Sequence, residues 1–238
     1  MLGIDGSGKS SVAAQLRVHF EATGREVVDA STDALFTEAR RGKGHPWDAL
    51  NCVAQEGWRL FLLDPPLQSA VLASGMLELN AYCLARAEVI APAVERGAVV
   101  ISDSYCLKNV VRTLRQAQQM EGALSAAVDD LLSGIRVALS SPHLQPDVGL
   151  HFDADPAITT RWRIAQRGAL EPGADMSVAG QPGLEAALRL QSALAAELCE
   201  DAQAWGWNVL PVDGRPLSET VAAALNCVMS HPSQRGER

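Results

Sequence analysis

The stretch GIDGSGKS, residues 3–10, decides how this chain is interpreted, because it matches the pattern G-x-x-x-x-G-K-[ST] at every fixed position. Its glycines let backbone N–H groups curl around an anion, and the helix that follows presents its positive end to the same place. In this pattern Lys9 reaches the outer phosphates of a nucleotide and the Ser10 hydroxyl ligates Mg²⁺. The alternative is a glycine-rich turn with an accidental lysine. The residues expected to contact the nucleotide are Gly3, Gly6, Ser7, Gly8, Lys9, Ser10 and Ser11.

Such a loop is expected to follow a buried strand, yet only Met1 and Leu2 precede Gly3. An ordinary strand has about five or six residues. Two explanations stay open: the natural start lies upstream of Met1, or the sheet lacks its middle. We favour the first as a hypothesis.

Composition limits the classes of function. The chain has 238 residues, 47% of them hydrophobic, which suits one substantial core and predicts a single domain over residues 1–238. A net charge of −8 argues against a nucleic-acid partner, since little positive charge is available to neutralise phosphates. The five cysteines show no metal-ligand spacing, so we expect reduced thiols and a cytoplasmic location. No apolar stretch approaches the roughly 20 residues of a membrane span, so no membrane is expected.

Helical periodicity alternates with short apolar runs, which predicts an α/β fold with a mainly parallel sheet. Strands are predicted at 26–29, 99–101, 148–152 and 208–212. Helices are predicted at 12–20, 51–63, 69–92, 124–139, 157–166, 183–205 and 217–229. Two segments, 33–46 and 171–183, are expected to be exposed and mobile because they are rich in charge, glycine or proline.

A second candidate site follows the predicted strand at 99–101, in the stretch ISDSYCLKN, residues 101–109. Open α/β sheets place ligand chemistry at the carboxyl ends of their strands. Since the loop fixes Lys9 and Ser10, an acid from a neighbouring strand end is needed for Mg²⁺, and we expect Asp103 to supply it. A plain strand cap is the alternative.

Several further motifs, taken in their order and spacing, resemble those of thymidylate kinases, and the likeness covers nearly the whole chain. They are Leu77-x-x-Asn80-Ala81-x-x-x-Ala85-Arg86, Ile90-x-Pro92-x-x-x-x-Gly97-x-Val99-Val100-Ile101-x-Asp103-x-Tyr105, Pro146-Asp147-x-x-Leu150-x-x-Asp153-x-Asp155-Pro156, Arg163-x-x-x-Arg167-Gly168 and Val212-Asp213-Gly214. The resemblance implies a three-layer P-loop kinase fold, with a five-stranded mainly parallel sheet flanked by helices. It also implies an acceptor-side segment at about 33–70 and a mobile lid at about 161–183.

The same resemblance implies a function: phosphoryl transfer from MgATP to thymidine monophosphate or a related pyrimidine nucleotide, in a homodimer. Lys9, Asp103 and Asp5 would act in catalysis, with Asp5 also facing the acceptor sugar and the arginine that grips its phosphate. Arg163 and Arg167 would act as lid arginines over the transferring phosphoryl group, although a solvated basic face is the alternative.

The remaining roles concern contacts with the acceptor nucleotide and with the adenine of ATP. Tyr82 would stack on the acceptor base while Arg86 hydrogen-bonds its edge, and Tyr105 would border the acceptor. A core tyrosine and a solvated arginine are the alternative for Tyr82 and Arg86. Asp213 would border the adenine.

Two departures from the family concern the acceptor. Ser104 stands where the family has arginine, and residues 29–35 lack the Arg-Glu-Pro-Gly-Gly segment, which carries a second arginine. Hydrogen bonds to charged groups contribute roughly 1.5–3 kcal/mol each, so both losses would weaken monophosphate binding by about 3–6 kcal/mol unless replaced. We expect Lys108 to replace them, with Arg112, Arg40 or Arg41 as alternatives. Two other functions stay open: the same ATP machinery with another acceptor, such as a modified nucleoside or nucleotide analogue, or a catalytically inactive nucleotide-binding partner protein.

Overall fold

Short parallel strands alternate with helices along the chain, which confirms an α/β architecture of mostly helical content. The computed structural model describes residues 1–36, 42–169 and 183–231. Within them the strands are β1 Leu2–Gly3, β2 Val27–Asp29, β3 Val99–Ile101, β4 Leu150–Ala154 and β5 Asn208–Val212. The helices are α1 Lys9–Ala22, α2 Thr32–Phe36, α3 Trp47–Phe61, α4 Gln68–Ala85, α5 Ala91–Glu95, α6 Leu107–Gln119, α7 Val128–Leu139, α8 Pro156–Arg167, α9 Leu184–Ala204 and α10 Leu217–Ser230.

The strands form two parallel sheets, β1–β4–β5 and β2–β3, so the prediction of one five-stranded sheet is wrong for the described residues. The cause is the length of β1, which pairs with β4 through two residues, Leu2 and Gly3. Toward β3, the chain before β1 forms two hydrogen bonds with the segment that follows β3. The Met1 amine donates to the Ser102 carbonyl at 3.0 Å, and the Tyr105 N–H donates to the Met1 carbonyl at 2.8 Å. A strand of two residues is too short for a full ladder on both edges.

Helices cover both faces of the three-stranded sheet. Side chains alternate between the faces along β4. Leu150 shares a cavity with Leu16 of α1 and Val228 of α10, whereas His151 lies next to Cys199 of α9 on the other face. One large hydrophobic core joins these helices, α6 and α7 to the strands.

A cavity of about 350 Å³ lies between β3 and β4, in the space that β1 is too short to fill. Val99–Ile101 line one side, Val148 and Leu150 line the other, and Met1 lies at its margin. The missing central pairing of the sheet therefore leaves a space with largely apolar walls.

Helix α6 was not predicted, although the sequence carries its signal. Leu107, Val110, Val111 and Leu114 are all fully buried and recur at the spacing of one helical face. Intervening charged and polar residues concealed this periodicity. Because α6 packs against α4, α7 and α9, it places its polar face beside residues 3–10, which we call the phosphate loop.

The segment 33–46 was predicted to be exposed and mobile, but its first residues are helical and partly buried. Thr32–Phe36 form α2, and Leu35 is buried against Ala30 and Leu50. Residues 37–41, which include the alternatives Arg40 and Arg41, lie outside the described residues, as do lid residues 170–182. The predicted helix at 124–139 begins later, at Val128, after a 3₁₀ turn at Ser125–Ala127.

In the part of the chain that the structure describes, none of the helices combines the length and apolar character that crossing a membrane requires.

Candidate nucleotide and acceptor site

The phosphate loop connects β1 to α1 through a backbone turn that requires glycine. Gly6 has φ +78° and Gly8, which precedes α1, has φ +85°. A Cβ on Gly6 would also lie 2.9 Å from the Thr159 carbonyl oxygen and from Cγ of Arg163. The helix begins at Lys9 without a side-chain cap and without an acid in its first turn. Its first N–H groups and its positive dipole end are therefore suited to an anion.

Lys9 curls back over this loop and meets neutral partners. Its Nζ donates to the Gly3 carbonyl at 3.0 Å, the Ile4 carbonyl at 2.8 Å and the Ser7 hydroxyl at 3.2 Å. Burial, together with repulsion from Lys108, lowers the pKa of Lys9 to about 7, although Asp5 and Asp103 oppose the shift. An ammonium held in this way gains from any anion placed in the loop.

Ser10 and Asp103 meet, as the sequence predicted. The Ser10 hydroxyl donates to Oδ2 of Asp103 at 2.6 Å, and the Thr32 N–H donates to Oδ1 at 3.3 Å. The hydroxyl comes from the first turn of α1 and the carboxylate from the segment after β3. Hydroxyl and carboxylate oxygens are hard ligands that suit Mg²⁺. These two residues could hold the ion beside the phosphate loop.

A largely buried charge cluster lies beside the loop, around Asp5. Oδ1 of Asp5 accepts a hydrogen bond from Nζ of Lys108 at 2.8 Å, and Nη1 of Arg112 lies 3.6 Å from Oδ2. The three side chains are only 12–16% exposed. Burial alone would raise the pKa of Asp5, but the cations Lys108, Arg112 and Lys9 together hold it far below its usual range.

Hydrogen bonding in this cluster is incomplete. Within the described residues, Oδ2 of Asp5 and Nε of Arg112 are buried without a hydrogen-bond partner. Lys108 and Arg112 are four residues apart and so share one face of α6. The cluster therefore carries two cations for one carboxylate, next to the loop that would hold the donor phosphates.

Tyr82 and Arg86 bind the segment before β4. The Tyr82 hydroxyl donates to the Leu144 carbonyl at 2.8 Å, and Nε of Arg86 donates to the His143 carbonyl at 2.9 Å. The Tyr82 ring meets the edge of Tyr105 at 5.1 Å between centroids. Burial raises the pKa of both tyrosines. The acceptor roles of these three residues stay predictions, and the contacts seen are those of a packed aromatic group that lines the β3–β4 cavity.

The predicted lid arginines lie on α8, which follows β4. The side chain of Arg163 passes over Gly6, since its Cγ would contact a Cβ placed there. Arg167 is the last residue of α8, and Gly168 follows in the left-handed conformation with φ +79°. The aliphatic stem of Arg163 thus crosses the phosphate loop. The lid itself stays a prediction, because residues 170–182 lie outside the described residues.

The other residues predicted to contact the nucleotide differ in their exposure and partners. Ser7 is buried and donates to the Ile4 carbonyl at 2.9 Å, whereas Ser11 is exposed on α1. Asp213 follows β5 and pairs with Arg215 at 2.7 Å, and hydrogen bonding from Arg215 lowers the pKa of its carboxyl. A role of Asp213 beside adenine stays a prediction.

Comparison with known proteins supports a thymidylate kinase-like relationship. No family model matches the chain. Curated thymidylate kinases from two strains of Cereibacter sphaeroides are 36% identical to it over 107 residues. The match covers 43% of this chain and 41% of each relative, so the chain spans less than half the length of the curated relatives it matches.

Proposed function

We propose that this protein transfers a phosphoryl group from MgATP to a nucleotide acceptor, thymidine monophosphate or a related pyrimidine nucleotide. The observation that carries the proposal is the half-buried Lys9, which lies over the phosphate loop with neutral hydrogen-bond partners and a lowered pKa. The similarity to thymidylate kinases supports the same reaction class.

On the donor side, the loop N–H groups and Lys9 would bind the outer phosphates of ATP. Ser10 and Asp103 would hold Mg²⁺, which neutralises charge on those phosphates when bound. Arg163, whose side chain already crosses Gly6, would place positive charge near the transferring group. Arg167 and Asp213 would complete the donor site, and residues 161–183 would form its lid.

On the acceptor side, Lys108 and Arg112 would bind the acceptor phosphate in place of the two missing family arginines. Asp5 orients both cations before the acceptor arrives, since it contacts each of them. Preorganisation of this kind lowers the cost of binding. The acceptor base would lie toward Tyr82, Arg86 and Tyr105, within the segment at 33–70 and the helices that follow it.

The test is an ADP-release assay with ATP and a panel of nucleosides and mononucleotides, each with and without Mg²⁺. We expect Mg²⁺-dependent turnover with pyrimidine monophosphates. Lys9→Ala should abolish turnover with every acceptor, whereas Arg189→Ala, an exposed change on α9, serves as the matched control. Activity retained by Lys9→Ala would reject the assignment of the phosphate loop.

A second candidate keeps the donor site and changes the acceptor to a modified nucleoside, a nucleotide analogue or another small alcohol or phosphate. The observation that favours it is Ser104, which stands where thymidylate kinases have arginine. Ser104→Arg should improve the use of thymidine monophosphate if that nucleotide is the acceptor. No gain from Ser104→Arg, with turnover of another compound in the panel, would favour the second candidate.

The third alternative, an inactive nucleotide-binding partner protein, would bind ATP in the same experiment without ADP release. We propose further that residues 1–238 form one P-loop kinase domain, that the protein is cytoplasmic and that it forms a homodimer. Sedimentation of the purified chain at several concentrations would test the homodimer.

A further inference from the structure

A cluster of three potential metal ligands lies on the face of β4 that packs against α9, apart from the Ser10–Asp103 pair. His151 and Asp153 are two residues apart on β4 and so share that face. Cys199 approaches from α9. One ligand atom from each residue, an imidazole nitrogen, a carboxylate oxygen and Sγ, lies within 4.8 Å of the other two.

The environment of His151 points independently to a missing ligand. Its side chain is 1% exposed, and neither Nδ1 nor Nε2 has a hydrogen-bond partner among the described residues. Buried polar groups almost always have a hydrogen-bond partner, so two imidazole nitrogens without one on the same ring are unusual. A cation bound to one nitrogen would use the lone pair that the protein leaves unpaired.

The other two side chains are accessible enough to complete a site. Asp153 is exposed, and no other described residue forms a hydrogen bond or ion pair with its carboxylate. Cys199 is half-buried, and Nε2 of Gln203 lies 3.4 Å from its sulfur, where it can donate a hydrogen bond. Donors around the sulfur help to hold a metal-bound thiolate.

We propose that His151, Asp153 and Cys199 form a binding site for a thiophilic divalent cation of the Zn²⁺ type. Zn²⁺ takes nitrogen, sulfur and carboxylate ligands in a tetrahedron, which implies separations of about 3.3–3.6 Å between ligand atoms. The three ligand atoms lie within 4.8 Å of one another, so the side chains would close around the ion when it binds. Water supplies the fourth ligand on the exposed side of Asp153.

This site differs in chemistry from the Ser10–Asp103 pair, which offers hard oxygen ligands alone. It also lies directly behind the phosphate loop, since His151 pairs in register with Leu2 of β1. A bound ion would tie α9 to β4 and thereby support the short strand that leads into the loop. The proposal does not depend on the kinase reaction.

The test uses the full chain, freed of metal by chelation and titrated with Co²⁺, which reports a thiolate ligand through a sulfur-to-cobalt charge-transfer band. We expect one equivalent of Co²⁺ to bind with this band, Zn²⁺ to displace it, and Zn²⁺ to raise the melting temperature. Cys199→Ser should remove the band, and His151→Gln should weaken binding at least tenfold. Cys52→Ser, which removes the exposed cysteine of α3, should leave the band unchanged.

The absence of the band in the wild-type chain would overturn the proposal, as would a band that survives Cys199→Ser or disappears with Cys52→Ser. Because Cys199 is half-buried, Cys199→Ser provides a decisive variant even if His151→Gln fails to fold. ATP binding measured on the same samples keeps the outcome separate from that of the proposed kinase function.

Discussion

Removing the carboxylate of Asp5 should reveal how much Lys108 and Arg112 repel one another in the charge cluster beside the phosphate loop. In Asp5→Asn, Lys108 and Arg112 lose the carboxylate that lies 2.8 and 3.6 Å from them. Removing one partner of a buried ion pair costs about 3–5 kcal/mol, because the other charge stays buried and unpaired. For a chain of 238 residues, each kcal/mol lowers the melting temperature by roughly 2–4 °C. We therefore expect Asp5→Asn to melt about 6–20 °C below the wild type.

The assay is thermal unfolding followed by circular dichroism near neutral pH, with Asp130→Asn, an exposed acid on α7, as the control. Adding Lys108→Met to Asp5→Asn should recover part of the loss, since it removes one of the unpaired cations. Inorganic phosphate should raise the melting temperature of Asp5→Asn more than that of the wild type, because an added anion can replace the missing carboxylate. A melting temperature unchanged in Asp5→Asn, or losses that simply add in the double variant, would refute this account of the cluster.

Three further predictions concern separate parts of the molecule. Lys108→Ala should raise KM for the acceptor about tenfold or more, because a hydrogen bond to a charged group contributes roughly 1.5–3 kcal/mol. The KM for ATP should stay nearly unchanged. Equal effects on the two KM values in initial-rate measurements would count against an acceptor role. Burial lowers the pKa of Lys9 from 10.5 to about 7. Between pH 7 and pH 10.5 the folded state therefore binds fewer protons than the unfolded state. Lys9 thus contributes more stability as the pH rises through this range. In urea unfolding, the free energy of unfolding of the wild type should rise relative to that of Lys9→Met between pH 7 and pH 9. The same difference between the two proteins at both pH values would contradict a lowered pKa of Lys9. Glu197→Gln should lower the free energy of unfolding by about 1.5–3 kcal/mol, because the Glu197 carboxylate accepts hydrogen bonds from Arg115 and Arg136 at 2.8–3.0 Å; a urea midpoint equal to that of the wild type would exclude this contribution.

The contact between Ser10 and Asp103 was predictable because its signal is local. Residues 3–10 carry both the turn and the helix start, and a strand followed by an acid is enough to place Asp103 beside Ser10. The sequence also suggested Lys108 as an acceptor cation, from its position after Asp103. The resemblance placed Asp5 beside the arginine that grips the acceptor phosphate, but no sequence spacing shows the contact between Asp5 and Lys108, which joins positions 103 residues apart.

Other features depend on packing that no spacing shows. His151 and Cys199 belong to different elements 48 positions apart in the sequence, so the arrangement of the cysteines along the chain does not reveal their proximity. The division into two sheets depends on how many hydrogen bonds a strand of two residues can form, and the sequence left this question open. Tyr82 and Arg86 share a helical face as expected, but the carbonyls that they contact belong to a turn after α7.

The buried amine of Met1 has a practical consequence for anyone who expresses this protein. Burial lowers its pKa to about 5, and Met1 is one of the residues that line the space between β3 and β4. A purification tag fused in front of Met1 would replace this amine, which donates to the Ser102 carbonyl at 3.0 Å, with a peptide N–H. A tag in that position should therefore be removed before the measurements described above.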